Sequence, residues 1–193
     1  MRFNDHSNLE GTHAFLSASQ HSWLNYDDDH LREVYLNSLQ AQRGTQMHEF
    51  AHQANLLHLH MPRNHVTINE FINDGLGYRM SSEVTLYYSP NVYGTADLIS
   101  YEPKKKLLRI FDLKTGRIPV VKFGQLRVYA ALFCLEYDVK PTDISFDLRL
   151  YQNDEIRQDE EVEPDDILEI IAKIRRFDKI INELREQSDN GLI

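Results

Sequence analysis

Apolar residues recur along the chain with two different spacings, which divide it into helical and strand segments. Spacings of three or four residues, typical of helices, occur in three segments, namely residues 29–60, 122–135 and 164–186. Alternating or β-branched patterns, typical of strands, occur in four segments, namely residues 78–88, 92–101, 106–113 and 144–151. The first helix is expected to be broken or recapped near Gly44. The order helix, three strands, helix, strand, helix predicts a fold of the α/β class (α+β mixed), with a central mixed β-sheet flanked by helices.

Length and composition indicate a single globular domain over residues 1–193, with no long linker and no internal repeat. Hydrophobic residues make up 41% and charged residues 26% of the chain, which is ordinary for a soluble protein. No apolar run approaches the roughly 18 residues of a membrane span, and the polar first ten residues do not resemble a signal peptide. One cysteine, Cys134, excludes an internal disulfide framework and a cysteine-ligated iron–sulfur cluster. We therefore expect a cytoplasmic protein with no membrane contact.

The formal net charge of −9 argues against a general nucleic-acid coat protein, yet the charge is unevenly distributed. Residues 103–130 carry eight basic side chains and one acid, whereas residues 152–193 carry thirteen acids and six bases. Such runs commonly form solvated faces, so the polarity alone leaves this explanation open. If the basic segment also carries chemistry, its candidate phosphate ligands are Lys104, Lys105, Lys106, Arg117, Lys122 and Arg127.

A zinc-peptidase pattern lies in the first helix. His48, Glu49 and His52 match H-E-x-x-H, and His58 lies where a third zinc ligand would be expected. Asn55 replaces the glycine of the longer pattern, which asparagine can mimic because it tolerates a left-handed backbone. Only 47 residues precede His48, with no clear strand among them. A zinc metallopeptidase is therefore an alternative hypothesis rather than the favoured one.

A second pattern consists of carboxylates on neighbouring predicted strands. Asp97 follows a G-T-x pattern, and Asp112, fifteen residues later, begins the D-x-K tripeptide that ends at Lys114. Residues i and i+2 of a strand project from the same face, so Asp112 and Lys114 should meet at one site. Two carboxylates and a backbone carbonyl suit Mg²⁺ or Mn²⁺, and His48 from the first helix would complete the metal shell. Lys114 would position or deprotonate the attacking water, or stabilise the charge that develops on a phosphate.

The tripeptide alone carries little information, because the same spacing recurs at Glu102–Lys104 and Asp138–Lys140. More specific is an ordered set of positions along the chain: Gly44, His48, Glu83, Gly94, Asp97, Asp112, Lys114, Gln125 and Tyr129. This set resembles the RecB-type, lambda exonuclease-like branch of the PD-(D/E)XK nuclease superfamily, over about residues 15–152. The resemblance implies a restriction-endonuclease-like fold. It also implies a branch member without an iron–sulfur cluster, since the cysteines that would hold one are missing.

Site residues follow from the resemblance by position. His48, Asp97 and Asp112 are expected to bind the metal through side chains, and Leu113 through its backbone carbonyl. Lys114 is expected to be the catalytic lysine, and Gln125 and Tyr129 of the helix motif are expected to be catalytic as well. Glu83 is an additional acidic candidate. The expected activity is Mg²⁺- or Mn²⁺-dependent hydrolysis of DNA phosphodiester bonds.

The resemblance also sets expectations about substrate and partners. An exonuclease acting on double- or single-stranded DNA ends is favoured over an endonuclease. Such an enzyme is expected to serve recombination, repair or phage DNA metabolism. If the gene is phage-borne, the protein is expected in the host cytoplasm. A further alternative is a nuclease-fold protein that binds nucleic acid without cutting it. The amphipathic helix at about residues 164–187 packs on the protein's own sheet or contacts a second copy or a recombination or replication partner. The residues of its apolar seam are Ile167, Ile170, Ile174, Phe177, Ile181 and Leu184.

Overall fold

A computed structural model describes residues 14–189 of the chain. Its helices are α1 (Asp28–Leu56), α2 (Thr67–Gly77), α3 (Gly124–Glu136) and α4 (Pro164–Asp189). Its strands are β1 (Ser81–Ser89), β2 (Val92–Glu102), β3 (Leu107–Leu113), β4 (Ser145–Gln152) and β5 (Glu155–Gln158). The expectation about a signal peptide concerns residues outside the described range. Within that range, no helix is long and apolar enough to cross a bilayer.

The chain divides into two compact units, Met1–Gln42 and Arg43–Ile193. In the described part of the first unit, a short 3-10 turn at His21–Asn25 is held by a hydrogen bond from Trp23 Nε1 to the Ser17 carbonyl. The rings of Phe15 and Tyr35 pack edge to face. The second unit contains the β-sheet and all the predicted site residues.

The sheet of the second unit has five strands in the order β1-β2-β3-β4-β5. Strands β1, β2 and β3 form an antiparallel meander, and β4 lies parallel to β3. A parallel neighbour requires a crossover connection, which α3 supplies. The short strand β5 pairs antiparallel with β4. The predicted mixed sheet flanked by helices is therefore confirmed.

Apolar residues cover both faces of the sheet because successive strand residues point to opposite sides. Ile110 of β3 belongs to the core cluster built with α3 and α4, whereas its neighbour Phe111 belongs to the cluster built with α1 and α2. Leu150 and Tyr151 of β4 divide in the same way. Strands β3 and β4 are thus the buried centre of the sheet.

Three features of the helices and strands differ from the prediction. Helix α1 runs unbroken through Gly44, so the expected break there was wrong. The sequence pattern did not predict α2 or β5. Helix α2 begins at Thr67, where Asp154 from the β4–β5 turn accepts hydrogen bonds from the Thr67 backbone N–H and hydroxyl. A cap supplied from 87 residues away cannot be recognised from local sequence.

Candidate metal centre

Three potential metal ligands from three elements meet at one end of the sheet. His48 comes from α1, Glu83 from β1 and Asp97 from β2, and one ligand atom of each lies within 4.8 Å of the others. His48 Nδ1 is 3.4 Å from Asp97 Oδ2. The structure thus brings together an imidazole and two carboxylates that are 35 or more residues from His48 in the sequence.

The end of β3 joins this triplet through the backbone. The Leu113 N–H donates a 2.8 Å hydrogen bond to Asp97 Oδ2. In an extended strand the N–H and C=O of one residue project towards the same neighbouring strand, so the Leu113 carbonyl is directed towards the Asp97 side. This geometry is compatible with the predicted carbonyl ligand.

Asp112 and Lys114 form a second group beside the triplet. Lys114 Nζ lies 3.1 and 2.9 Å from the two carboxylate oxygens of Asp112, as expected for residues i and i+2 on one face of a strand. Lys114 Nζ also donates a 2.6 Å hydrogen bond to Gln125 Oε1, and Gln125 Nε2 donates to the Tyr129 hydroxyl at 3.1 Å. The lysine is therefore held between a buried carboxylate and α3.

The site concentrates negative charge on three carboxylates, of which Asp112 is buried, Asp97 is half-buried and Glu83 is exposed. Burial, followed by the charge of Asp97, raises the pKa of Asp112 to about 6, against the opposing effect of Lys114. Burial and then Asp97 raise the pKa of Glu83, and a hydrogen bond with Asp97 raises the pKa of His48 against the effect of burial. Each shift has the direction expected when several carboxylates lie close together, because each negative charge favours the protonated form of its neighbours.

One buried oxygen of Asp112 lacks a hydrogen bond. Asp112 Oδ2 is close to Lys114 Nζ but accepts no hydrogen bond of acceptable geometry from any described residue. A buried carboxylate oxygen in this state is costly unless something else coordinates it. The donor set of carboxylate oxygens and one imidazole fits Mg²⁺ or Mn²⁺, with imidazole favouring Mn²⁺. The residues present therefore fit the predicted cation.

The backbone of β1 is distorted where the carboxylates meet. Glu83 has φ of 53°, while its neighbours Ser82 and Val84 pair regularly with Leu98 and Ala96. A left-handed backbone costs a non-glycine residue roughly 1–2 kcal/mol. Such strain persists only where surrounding structure enforces it, and it concentrates at functional sites.

Two glycines of the predicted set permit close packing around the site. A Cβ at Gly44 would lie 2.6 Å from the Thr115 hydroxyl oxygen, and a Cβ at Gly94 would lie 3.0 Å from the Tyr129 ring. Gly44 thus lets α1 approach the loop after β3, and Gly94 lets β2 approach α3. At both positions glycine is needed because a side chain would prevent this close packing, and not because the backbone must be flexible.

The histidines of the peptidase pattern do not gather. His52 Nδ1 lies 2.8 Å from the Ser82 hydroxyl, and Glu49 is exposed and accepts a hydrogen bond from Gln53. His58 is exposed beyond the end of α1, with φ of 53°. Among residues 14–189, the group suited to a metal contains His48 but neither of these two histidines.

The basic segment of the sequence does not form one surface. Lys104, Lys105 and Lys106 lie in the β2–β3 turn, at the opposite end of the sheet from Asp112. At about 3.3 Å per residue, Lys106 is about 20 Å along the strand from Asp112. A contact between these lysines and a phosphate at the metal centre is therefore not supported.

Arg127 is also engaged elsewhere. Its guanidinium forms two hydrogen bonds with Asp159, at 2.7 and 2.9 Å, and a third with Asp166 at 2.9 Å. Of the six predicted phosphate ligands, Arg117 and Lys122 lie in the loop that follows β3 at the site end of the sheet.

Gln152, which sequence analysis missed, supports that loop. Its side chain is buried, accepts a hydrogen bond from the Val120 N–H, and donates to the carbonyls of Gly116 and Ile118. A glutamine at the end of an apolar strand was the available signal.

No protein-family model, no curated protein and no solved structure matches the chain.

Proposed function

We propose that this protein is a metal-dependent nuclease that hydrolyses DNA phosphodiester bonds. The observation that carries the proposal is the convergence of Asp97, from the middle of β2, with Asp112 and Lys114 at the end of β3, and with His48 beside Asp97. Carboxylates with a neighbouring lysine suit phosphoryl chemistry, because they bind a divalent cation and place a positive charge next to it. The cofactor is accordingly Mg²⁺ or Mn²⁺, without an iron–sulfur cluster.

Each residue has a distinct role in this mechanism. Asp97 and His48 would hold the cation together with Asp112, whose neighbour Leu113 is hydrogen-bonded to Asp97. Glu83 lies close enough to His48 and Asp97 to contribute a further carboxylate. A bound divalent cation supplies Lewis-acid polarisation of the scissile phosphate and neutralises its charge. Lys114 orients the attacking water or stabilises charge that develops on the phosphate.

Gln125 and Tyr129 act through Lys114. The hydrogen-bond chain from Tyr129 to Gln125 and on to Lys114 Nζ restricts the ammonium group to the vicinity of Asp112. Restricting a catalytic group to a productive position contributes to rate without any contact between its supports and the substrate. These two residues are therefore positioning residues in the proposed mechanism.

The element order supports a restriction-endonuclease-like fold as part of the proposal. Apart from the additional helix α2 before β1, a helix, a three-stranded antiparallel meander, a crossover helix and a parallel strand follow each other in the order that the resemblance implies. The proposed domain is the PD-(D/E)XK nuclease domain of the RecB type. An exonuclease in recombination, repair or phage DNA metabolism remains the preferred form.

Helix α4 offers a surface for a partner. Ile167 and Ile174, near its beginning, are buried in the core beside α3. Phe177, Ile181 and Leu184, near its end, are each more than 40% exposed. The first half of the seam thus packs on the protein itself, and the second half is the proposed contact with another copy or with a recombination protein.

The decisive experiment compares two substitutions in purified protein. Lys114→Ala should abolish Mn²⁺-dependent DNA degradation while leaving Mn²⁺ binding intact, because Lys114 is not a ligand. Glu49→Ala should change DNA degradation little, since Glu49 is exposed, its carboxylate accepts a hydrogen bond from Gln53, and it is not a member of the His48, Glu83 and Asp97 group. Lys140→Ala is the matched control, because Lys140 ends a second D-x-K tripeptide but lies exposed after α3.

The outcomes separate the three hypotheses. Peptide hydrolysis that Glu49→Ala removes and Lys114→Ala spares would establish the zinc peptidase. Folded, metal-loaded protein that binds DNA but hydrolyses neither DNA nor RNA with either cation would establish the non-cutting binding protein. Loss of DNA degradation in Lys114→Ala alone supports the nuclease.

A further inference from the structure

The β1–β2 hairpin extends past the end of β3. Pairing between β2 and β3 runs only from Leu98–Phe111 to Glu102–Leu107. Pairing between β1 and β2 continues further outward, through Thr85–Thr95 to Tyr87–Tyr93. The outer half of the hairpin therefore projects beyond β3 from the end of the sheet where the metal centre lies.

The projecting hairpin has one buried face and one open face. Leu86 and Ala96 pack in the core cluster with α3, and Gly94 lies against Tyr129 of that helix. Because strand residues alternate, the intervening side chains point away from α3. The cross-strand pairs Thr85–Thr95 and Tyr87–Tyr93 lie on this open face, and Glu83 and Asp97 of the metal centre come next along the two strands.

The two tyrosines form a pair of exposed rings on the open face, which we call the tyrosine platform. Tyr87 is 47% and Tyr93 is 64% exposed. The ring centroids are 6.4 Å apart with an interplanar angle of 28°. Between the platform and the carboxylates, the hydroxyls of Thr85 and Thr95 lie 3.0 Å from each other. The open face is thus polar but uncharged until it reaches the metal centre.

The hairpin tip is held in place by α4. The Ser89 hydroxyl donates a 2.5 Å hydrogen bond to Asp178. The Asn91 side chain donates to Asp178 at 2.8 Å and to Asn182 at 2.9 Å, and accepts from Arg185 at 2.7 Å. Aromatic side chains on a fixed backbone lose little conformational freedom when they bind a ligand. The platform is therefore ready to bind a flat group.

We propose that the tyrosine platform stacks the bases of single-stranded DNA whose backbone leads into the metal centre. This inference depends on the proposed nuclease function, since it names the substrate of that site. Tyr93 precedes Asp97 by four residues, about 13 Å along the strand. That distance equals roughly four stacked nucleotides at about 3.4 Å each. Successive bases inside a duplex are covered on both faces by their neighbours, so the platform selects single strands over the interior of a duplex.

The test measures binding separately from cutting. A Lys114→Ala background removes cleavage, and single-stranded oligonucleotides carrying 2-aminopurine at successive positions report stacking through fluorescence quenching. Quenching is expected at one or two positions within about four nucleotides of the end held at the metal centre. Tyr93→Ala should weaken binding roughly 5- to 150-fold, and Tyr93→Phe should retain binding, because the ring rather than the hydroxyl stacks. Tyr87→Ala should weaken binding in the same way.

Two controls make the result independent of folding. Tyr137→Ala removes a comparably exposed tyrosine immediately after α3, away from the open face, and should leave affinity and quenching unchanged. The second control is an oligonucleotide with abasic residues at the quenched positions. Its affinity for the protein with both tyrosines should be as low as the affinity of intact DNA for Tyr93→Ala. Equal affinity for the abasic and intact strands, or unchanged quenching in Tyr93→Ala, overturns the platform.

The proposed function and the platform fail in different ways. If wild-type protein degrades DNA and Lys114→Ala does not, yet quenching persists without the tyrosine rings, the platform alone is overturned. If wild-type protein cuts no nucleic acid but ring-dependent quenching is observed, the platform is supported as a single-strand binding surface and the nuclease is overturned.

Discussion

Replacing Asp112 with asparagine should stabilise the metal-free protein, although the same change should remove metal-dependent activity. Asp112 is 2% exposed, and burial together with Asp97 raises its pKa from 3.8 to about 6. The folded protein consequently binds this proton more tightly than the unfolded chain does. Asparagine has nearly the same shape and can still accept a hydrogen bond from Lys114, but it carries no charge to bury.

The magnitude follows from proton linkage. One pKa unit corresponds to about 1.4 kcal/mol, so a shift from 3.8 to about 6 costs the folded, ionised protein about 3 kcal/mol at pH 8. The penalty is absent below pH 3.8 and complete above about pH 6, so the unfolding free energy of the metal-free wild type falls as the pH rises through this window. At pH 5 the penalty is about 1.5 kcal/mol.

Urea unfolding in EDTA at pH 5 and pH 8 measures this difference directly. The difference in unfolding free energy between Asp112→Asn and wild type should increase by about 1.5 kcal/mol from pH 5 to pH 8, in favour of the variant. Any cost of the asparagine that does not depend on pH cancels in this comparison. Asp143→Asn, at an exposed carboxylate, is the control and should show little pH dependence. With Mn²⁺ at 100 times its dissociation constant, wild type alone should gain about 2.7 kcal/mol. A relative stability that does not change with pH would refute the electrostatic argument.

Two further predictions concern packing and thiol chemistry. Gly44→Ala should slow DNA hydrolysis at least several-fold, because the new Cβ displaces the Thr115 hydroxyl next to Lys114. The thermal midpoint should not fall, since alanine in place of glycine stabilises the helix by about 1 kcal/mol. A large drop in the midpoint with normal activity in the soluble fraction would contradict this. Burial raises the pKa of Cys134 from 9.0 to about 12, so its thiolate fraction at pH 8 should be about 1,000-fold lower in the folded protein. Disulfide-exchange labelling should be slower by at least that factor in buffer than in denaturing urea, and fast labelling of native protein would show that the thiol is accessible.

Helices and strands with strong periodicity were predictable because their patterns are local. The strands at residues 92–101 and 106–113 were predicted to within one residue of β2 and β3, and α4 begins at Pro164 as expected. Weakly patterned elements were not predictable. Strand β5 has only four residues, all at least partly accessible, and its pairing depends on a two-residue turn in which Asn153 and Asp154 both have positive φ.

The chemistry of the candidate site was also available from the sequence, because it depends on residue types at spacings of two or four. The i, i+2 spacing of Asp112 and Lys114 and the i, i+4 spacing of Gln125 and Tyr129 already placed each pair on one face of its element. The local spacing could not predict that these pairs lie close to Asp97 and Glu83, because the direction and register of the paired strands decide that. The left-handed backbone of Glu83 had no local signal either.

The sequence by itself determined which groups the protein can use, namely two aspartates, a lysine, a histidine and a basic segment at residues 103–130. Only the tertiary structure decided which of them share a site. It placed Lys104 to Lys106 at the far end of the sheet, paired Arg127 with Asp159, and left Tyr87 and Tyr93 exposed in line with Asp97. Local patterns reflect interactions within a few residues, whereas these distances depend on how strands pair and helices pack across the whole chain.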